Sequence, residues 1–174
     1  GTLFRYSGAS TTVVIPNSVK TIGIQTFYGY TNITNVTIPD SVTSIGGWAF
    51  CDCSSLTSIV IPDSVTSIGE HAFSGCNNLT SIIIPNGVTT IDLDAFSRCS
   101  GLTDITIPNS VTRIGSNAFA NCISLQTINI PDSVTSIGDH AFSGCSGLKN
   151  IVIPDSVMDI ANYAFANCTS LSNI

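Results

Sequence analysis

Charged residues are scarce in this sequence. Asp, Glu, Lys and Arg make up 9% of its 174 residues, and the five Lys and Arg residues are outnumbered by eleven Asp and Glu, so the net charge is −6. Binding to nucleic acid or to an anionic membrane surface requires clustered Lys and Arg, and the sequence therefore predicts neither partner. No apolar run is long enough to span a bilayer, so membrane insertion of this chain is not expected either.

What the sequence has instead is a repeat of 23 residues. All the prolines, all the phenylalanines and six of the seven cysteines recur at this period. They are Pro16, Pro39, Pro62, Pro85, Pro108, Pro131 and Pro154; Phe4, Phe27, Phe50, Phe73, Phe96, Phe119, Phe142 and Phe165; and Cys53, Cys76, Cys99, Cys122, Cys145 and Cys168. A fixed period between about 20 and 50 residues indicates a solenoid or a propeller.

Aligned on phenylalanine, the unit reads L-x-x-I-x-I-P-x-S-V-x-x-I-G-x-x-A-F-x-x-C-x-x. In the copy at residues 56–78, two isoleucines alternate with outward-facing residues, which predicts a strand that ends at Pro62. A second short extended stretch follows, and Gly69 is then expected to form a corner that a bulkier residue would resist. The spacing of Phe73 and Cys76 suits a short turn of α- or 3₁₀-helix.

Eight positions of each unit are expected to point inward: Leu, Ile, Ile, Val, Ile, Ala, Phe and Cys. One unit cannot close a core around them, whereas stacked units can, because each column of side chains meets its own kind in the next coil. We therefore predict an α/β repeat solenoid of about seven coils that rise by about 4.8 Å each. The phenylalanine rings should stack in one column.

The unit resembles the leucine-rich repeat. Its continuation, I-x-I-P-x-S-V-x-x-I-G-x-x-A-F-x-x-C, is similar to that of the BspA-like subclass from about Phe4 to Ile174. The resemblance implies a right-handed solenoid with a parallel β-sheet on its concave side. It also implies a secreted or surface-displayed protein of bacteria or parasitic protists that acts in adhesion to host proteins or to other microbes. The family provides no catalytic motif and no cofactor to carry over.

The repeats predict a single solenoid domain over residues 1–174. The first full unit departs from the pattern, since Thr26 stands in place of alanine and Tyr30 in place of cysteine, as is typical of a terminal coil. The sequence stops at Ile174, in a strand position and without a polar cap. Because repeat arrays need caps at both ends, we expect a fragment of a longer array or an end that meets another molecule, for example by end-to-end self-association.

The resemblance places the candidate binding surface on the outward positions of the concave strands. These positions form three mostly polar columns, with an apolar stripe at Val60 and Ile83. The candidate ligand-binding residues are Thr37, Thr57, Val60, Thr80, Ile83, Thr103, Thr106 and Asn129. Thr and Val are also good strand formers, so a purely structural role explains the same pattern.

The cysteine column is open to three interpretations. Metal binding usually requires paired ligands such as C-x-x-C, which this column of single cysteines does not provide. Disulfides between neighbouring coils are conceivable, although parallel side chains on one face point the same way rather than at each other. The third interpretation is a ladder of buried free thiols. Cys51 lies outside the column, is expected to be exposed, and is the one candidate reactive thiol.

Aspartates follow the prolines in two pairs of neighbouring coils, Asp40 with Asp63 and Asp132 with Asp155. Each pair has two interpretations, because adjacent carboxylates suit a hard cation and a single Asp suits a cap on its own turn. The mixed Asn residues in the same column interrupt any continuous carboxylate ladder.

His71 and His140 are the only histidines, and they lie three coils apart, or roughly 15 Å at the strand spacing. They cannot share a metal or act as a dyad. Asp94 lies one coil from His71 in the same phase, but no nucleophile recurs beside them, and a hydrolase triad needs three converging side chains. We therefore predict no catalytic, cofactor-binding or metal-binding residues.

The function predicted from these observations is that of a non-catalytic binding module, extracellular or on the cell surface. It is expected to recognise a protein or glycan ligand through its repeat surface, and adhesion is what the family resemblance adds. The alternative is a structural spacer or a self-associating array without a specific ligand.

Overall fold

The computed structural model describes residues 1–3 and 6–172. Within this range the regular structure consists of short parallel strands in two columns that alternate along the chain. The short-strand column contains β1 (Thr2–Leu3), β3 (Thr21–Ile22), β5 (Ser44–Ile45), β7 (Ser67–Ile68), β9 (Thr90–Ile91), β11 (Arg113–Ile114), β13 (Ser136–Ile137) and β15 (Asp159–Ile160). The long-strand column contains β2 (Thr12–Val14), β4 (Asn35–Thr37), β6 (Ser58–Val60), β8 (Ser81–Ile83), β10 (Asp104–Thr106), β12 (Thr127–Asn129) and β14 (Asn150–Val152).

Each coil contains one long and one short strand. Numbered from the repeat leucine position, coils 1 to 7 cover residues 10–32, 33–55, 56–78, 79–101, 102–124, 125–147 and 148–170. From β2 onwards, paired strands are offset by 23 residues, so that Ile59 of β6 lies beside Val36 of β4. The solenoid of about seven coils predicted from the sequence is therefore confirmed.

The core consists of the eight positions that the repeat pattern predicts to be inward. In coil 3 the first and last of them, Leu56 and Cys76, are fully buried, and so is Phe73. The phenylalanine rings from Phe27 to Phe165 stack in one column, with successive centroids 5.0–5.6 Å apart and planes within 12° of parallel. This offset stacking adds about 0.5–1.5 kcal/mol per pair to the free energy of burial.

The aromatic column is continued at its N-terminal end by Tyr6. The Tyr6 amide donates to the Thr26 carbonyl at 3.1 Å, and the Tyr6 ring lies 5.3 Å from that of Phe27. The residues before it run in a different register, since Thr2 pairs with Thr21, 19 residues away. Phe4, which the sequence places at the head of the column, lies outside the described residues.

The segment after Gly69 forms consecutive turns rather than the short helical turn expected from the sequence. Three of its amides close i to i+3 turns, as when Ser74 donates to the His71 carbonyl at 3.1 Å. The intervening amides donate to the next coil, as when Phe73 donates to the Ala95 carbonyl at 2.9 Å. A helix would use these amides internally, whereas the turns release half of them to hold the coils together.

Gly69 is required by the close approach of two coils. Its φ angle is not in the left-handed region, but a Cβ atom at this position would lie 2.6 Å from the Gly47 nitrogen. The approach brings the Gly69 amide to the Ile45 carbonyl at 2.9 Å. The corner glycine expected from the sequence therefore serves coil packing rather than an unusual backbone angle.

The stack is interrupted between coils 3 and 4, at a place that we call the seam. Among the described residues no ladder pairs β6 with β8 or β7 with β9. The amides of Thr80, Thr89 and Asp92 lack the bonds to coil 3 that their equivalents in coil 5 make to coil 4. Those equivalents are Thr103 to the Thr80 carbonyl at 2.9 Å, Thr112 to Thr89 at 2.9 Å and Gly115 to Ile91 at 2.7 Å. On the side of the solenoid formed by the turn segments, which we call the turn side, coils 3 and 4 remain hydrogen-bonded. The gap at the seam is therefore confined to the side formed by the strands.

Coil 4 carries two departures from the repeat that coincide with the seam. Gly87 occupies the position at which Ser64 and Ser110 each donate a hydroxyl to a valine carbonyl one coil back at 2.6 Å. Asp92 occupies the corner glycine position, where close approach leaves little room for a side chain. Ala161 occupies the same position in coil 7 and keeps its bond to Ile137 at 2.9 Å, so one methyl group alone does not open the stack.

The seam predicts a local loss of amide protection. In native-state hydrogen exchange, the Thr80 and Thr89 amides should exchange at least about tenfold faster than those of Thr103 and Thr112, because exposed amides without a partner exchange without a structural opening. Equal protection at all four amides would contradict the seam.

Restoring the repeat in coil 4 should close the seam. In the Gly87→Ser, Asp92→Gly double variant, the new Cβ atom lies 3.0 Å from the Thr66 methyl group, which must shift. The serine hydroxyl can then bond to the Val65 carbonyl, and glycine at position 92 lets the corner approach coil 3. The two fast amides should then become as protected as their equivalents in coil 5. Unchanged exchange in this variant would mean that these two residues do not cause the interruption.

Candidate binding surface

The eight residues predicted to bind a ligand all lie on the outer face of the long-strand column and are exposed. Five of them follow one another across the coils at the last position of each strand: Thr37, Val60, Ile83, Thr106 and Asn129. Thr57, Thr80 and Thr103 precede their strands. The structure therefore places the predicted residues on one surface, with Val60 79% exposed and Ile83 69% exposed on either side of the seam.

Two of these threonines also stabilise the stack. The Thr57 hydroxyl donates to the Thr34 carbonyl at 3.2 Å, and the Thr103 hydroxyl donates to the Thr80 carbonyl at 3.1 Å. Their hydroxyl protons are therefore already used by the fold. Thr80 makes no equivalent hydroxyl bond within the described chain, because its neighbour across the seam is too far away.

The outer face deepens into a groove of about 490 Å³ at the seam. The apolar side chains of Val60 and Ile83 line the groove together with Ser58 and Ser81, and Pro62 lies at the end where the strand stops. A continuous ladder would leave only a shallow pleat here, so the groove exists because the two strands do not pair. The sequence pattern had singled out Val60 and Ile83 as binding residues and Asp40 with Asp63 as a carboxylate pair, but it did not predict that they line one groove.

Asp40 and Asp63 also line this groove. Both are exposed, and neither carboxylate makes an ion pair or a hydrogen bond within the described part of the chain. The interpretation that each caps its own turn is therefore not what the structure shows. Across residues 1–3 and 6–172, no group of three His, Cys, Asp or Glu side chains is arranged to hold a metal ion.

A second, smaller opening of about 290 Å³ extends from coil 5 to coil 7, beside the starts of β10, β12 and β14. Here β10 and β12 do not pair, but β11 and β13 in the short-strand column do. Its lining includes Ile123, Gln126 and Lys149, and the Lys149 ammonium donates to the Gln126 amide oxygen at 3.2 Å. The two openings thus have different chemistry, since only the groove at the seam has carboxylates.

The cysteine column forms a hydrogen-bonded ladder of free thiols. Each Sγ donates to the phenylalanine carbonyl of the preceding coil, as when Cys99 donates to Phe73 at 3.1 Å. Burial raises the pKa of the Cys99 thiol, and likewise that of Cys145, to about 12. Free thiols that serve as donors support the interpretation of structural cysteines.

Cys51 is buried, which contradicts the expectation of an exposed thiol. Only 4% of its surface is accessible. Cys51 shares its repeat position with Ser74 and Ser97 in the next two coils, and these side chains are buried as well. Burial, reinforced by the Asp52 carboxylate, raises the pKa of Cys51 to about 11, although the Arg98 guanidinium acts in the opposite direction. A thiol that is both buried and protonated is a poor nucleophile, so Cys51 is not a reactive site.

Arg98 and Asp52 form an ion pair that spans two coils. The guanidinium lies 3.2 Å from the carboxylate, and Gly75 occupies the intervening coil. A Cβ atom at Gly75 would lie 2.2 Å from the Asp52 carboxylate oxygen, so the glycine leaves room for this contact. The Arg98 and Asp52 side chains are 57% and 41% exposed, and an ion pair this accessible to solvent adds little to stability.

The two histidines lie apart, in one column of left-handed turn residues. His71 stacks on Trp48 at 4.7 Å and lies 4.0 Å from the Asp94 carboxylate, whereas His140 stacks on Tyr163 at 5.1 Å. The contact between His71 and Asp94 follows the phase that the sequence indicates. On the other side of Asp94 in this column lies Asn117, whose side-chain amide is 3.5 Å from the Asp94 carboxylate and is not a nucleophile.

Comparisons with known proteins agree with this architecture. A family model described as a BspA type leucine-rich repeat region matches residues 2–126 and 89–174, in 6 copies. A leucine-rich repeat protein from Bacteroides ovatus is 41% identical with a TM-score of 0.88, over 93% of this chain and 44% of its own. The leucine-rich repeat protein of T. pallidum is 34% identical with a TM-score of 0.94, over 98% and 82%.

A leucine-rich cell surface protein from Faecalibacterium prausnitzii is 33% identical with a TM-score of 0.50, over 94% of this chain and 59% of its own. The chain therefore spans less than half of the B. ovatus protein and about three fifths of the F. prausnitzii protein. No match was found among curated proteins. In the part of the chain that the structure describes, no helix has the length and apolar character needed to cross a membrane.

The thiol ladder predicts a loss of stability at alkaline pH. The pKa of Cys99 is raised from 9.0 to about 12, so the folded state keeps a proton that the unfolded state releases above pH 9. This contribution to stability is complete below pH 9 and is lost as the pH rises towards 12. Each such thiol should lower the free energy of unfolding by about 1.4 kcal/mol per pH unit in that window, measured by denaturant unfolding.

The Cys99→Ala variant measures the contribution of one thiol. Above pH 9 its free energy of unfolding should fall less steeply than that of the wild type, by about 1.4 kcal/mol per pH unit. Ser97→Ala is the matched control, since this buried neighbour does not titrate and its removal should leave the slope unchanged. Parallel slopes for the wild type and Cys99→Ala would mean that the thiol ionises as readily in the folded state as in the unfolded one.

Proposed function

The chain belongs to the BspA-type leucine-rich repeat family, and on that premise we propose that it is a non-catalytic module that binds a protein partner through the outer face of its long-strand column. The observation that carries the proposal is the adjacent pair Val60 and Ile83, which are 79% and 69% exposed at the groove. Repeat proteins fix their coils with inward positions and recognise partners with outward ones.

The exposed pair has an energetic reason to be covered. Removing a valine or isoleucine side chain from water contributes about 1.5–3 kcal/mol, and an interface needs only a few such anchors. In the same column, Val14 and Val152 are as exposed but each stands alone in its region. Val60 and Ile83 are neighbours and border a recess, which are the features of a binding hot spot.

Two features support an extracellular or cell-surface location and a role in adhesion. One is the similarity to the cell surface protein of F. prausnitzii. The other is the sparse charge, since Ser, Thr and Asn supply most of the outer polarity. A non-catalytic role agrees with the positions of the histidines and with thiols that stay protonated at neutral pH.

Binding should depend on the apolar pair. On an array of purified extracellular and cell-surface proteins, the wild-type chain should bind at least one protein saturably, and Val60→Lys, Ile83→Lys should weaken that binding at least about tenfold, or 1.4 kcal/mol. The matched control, Val14→Lys, Val152→Lys, places the same charges in the same column away from the groove and should bind as the wild type does.

Three results would overturn the proposal. One is saturable binding that the Val60→Lys, Ile83→Lys variant retains, which would place the interface elsewhere. The second is that the wild-type chain binds no protein on the array saturably. The third is saturable binding to glycans alone on a parallel array, which would replace the protein partner by a carbohydrate.

The second candidate function is a self-associating array, and it rests on the edge of the short-strand column. Ile160 of β15 is 47% exposed, whereas its equivalent Ile137 is fully buried, because no further described strand covers β15. Met158 and Tyr163 beside it are 84% and 69% exposed. Another copy of the chain that pairs with this edge would cover all three side chains.

Sedimentation equilibrium tests this second candidate. If copies stack, the average mass should rise with protein concentration, and Ile160→Lys should return the chain to a monomer because a charge at the paired edge cannot be buried. Ile123→Lys is the control, since Ile123 is 50% exposed and lies in coil 5, away from both ends of the stack. A strict monomer at the highest soluble concentration would contradict stacking.

A further inference from the structure

We propose that the groove at the seam receives a protein segment in which an aliphatic or aromatic side chain lies next to Lys or Arg. The groove is defined by Asp40, Ser58, Val60, Pro62, Asp63 and Ile83. This inference rests on the proposed function and specifies the chemistry of the partner.

The apolar part of the groove accepts a side chain rather than only a flat surface. Val60 and Ile83 flank the line along which β6 and β8 do not pair, and both line the groove of about 490 Å³. Pockets of about 300–1,000 Å³ are typical for small-molecule ligands, so a groove of this volume has room for one side chain. An aliphatic or aromatic side chain that enters this recess covers both exposed apolar residues at once.

The two carboxylates in the groove determine which charge on a partner segment is favourable. Asp40 and Asp63 lie in neighbouring coils at the same position of the repeat, and both carboxylates remain without an ion pair or hydrogen bond inside the described chain. No Lys, Arg or His lines the groove, and the whole chain has a net charge of −6. Complementary charge therefore favours a cationic segment and disfavours an acidic one.

The second opening, across coils 5 to 7, provides a contrast within the same molecule. It also borders two long strands that do not pair, β10 and β12, but it contains Lys149 of coil 7 and has no carboxylate in its lining. A cationic segment gains no charge complementarity there. The combination of an apolar recess with unpaired carboxylates is found at the seam and not at this second opening.

The lining favours a polypeptide over a carbohydrate. No aromatic side chain lines the groove to stack on a sugar ring, and no Asn, Gln, Lys or Arg donates to sugar hydroxyls. The available polar groups are two carboxylates and two serine hydroxyls. Such an acceptor-rich lining matches ammonium and guanidinium groups, which only donate.

A displayed library of random dodecapeptides tests the inference with the intact chain as bait. We expect the selected peptides to be enriched in Lys or Arg adjacent to Ile, Leu, Val or an aromatic residue. Asp40→Asn, Asp63→Asn should reduce their affinity about tenfold, because each exposed charge pair contributes up to about 1 kcal/mol, or about fivefold. Affinity should also fall as the salt concentration rises.

The matched control is Asp132→Asn, Asp155→Asn, which removes two carboxylates from the equivalent positions of coils 6 and 7 and changes the net charge equally. It should leave peptide affinity unchanged. Equal losses in the two double variants would mean that only overall charge attracts the peptides, which overturns the assignment of these aspartates to the groove. Both variants replace exposed side chains, and their circular dichroism spectra and melting temperatures should equal those of the wild type.

The outcomes separate this inference from the proposed function. Peptides that lose affinity in Val60→Lys, Ile83→Lys but not in Asp40→Asn, Asp63→Asn would keep the binding face and overturn the cationic partner. Peptides that bind all variants equally would place the interface elsewhere and overturn both proposals. A library without enriched sequences would overturn the peptide groove, while the protein array would still decide whether the outer face binds a partner.

Discussion

The close approach of neighbouring coils is the constraint on which the rest of this structure depends. Each carbonyl of the phenylalanine column from Phe27 to Phe142 accepts two bonds, as when Phe50 receives the Cys53 amide at 3.1 Å and the Cys76 thiol at 3.2 Å. These contacts exist only if the coils lie one strand spacing apart. That spacing in turn excludes a Cβ atom at Gly69 and brings the aromatic rings into contact. The repeat is conserved along the chain because every coil must satisfy the same neighbour.

The architecture could be predicted from the sequence because residues that are 23 apart in the chain lie side by side in neighbouring coils. When each column meets its own kind, the residues that recur at 23 positions are also the residues that touch, so the core and the stacked rings follow directly. The turns could not be predicted in the same way. Left-handed backbone occurs at Trp48, His71 and Asp94, at one repeat position that no single residue type marks, since His and Asp are enriched in this conformation but Trp is not. The helical turn expected between Gly69 and Cys76 was wrong for this reason.

The candidate site was predictable only in part. Outward positions of a strand follow from alternation, and Val60 and Ile83 are on the outer face as expected. The depth of the groove does not follow from alternation, because it depends on the distance between two coils. Its signals in the sequence are the small departures at Gly87 and Asp92, which are visible only against the other copies of the repeat. Cys51 was misassigned because its burial depends on Ser74 and Ser97 in the next coils rather than on its own surroundings in sequence.

A perfectly regular array would present the same shallow, polar face in every coil, and no coil would be preferred by a partner. Recognition at one place therefore requires a local departure from the repeat. In this chain the strand ladder, the corner glycine and the serine bond all fail between coils 3 and 4, where an exposed apolar pair and two unpaired carboxylates also meet. The rings of Phe73 and Phe96 still stack at 5.5 Å across the same junction, so the core remains continuous beneath the groove. The turn side thus supplies the cohesion that allows the strand side to open.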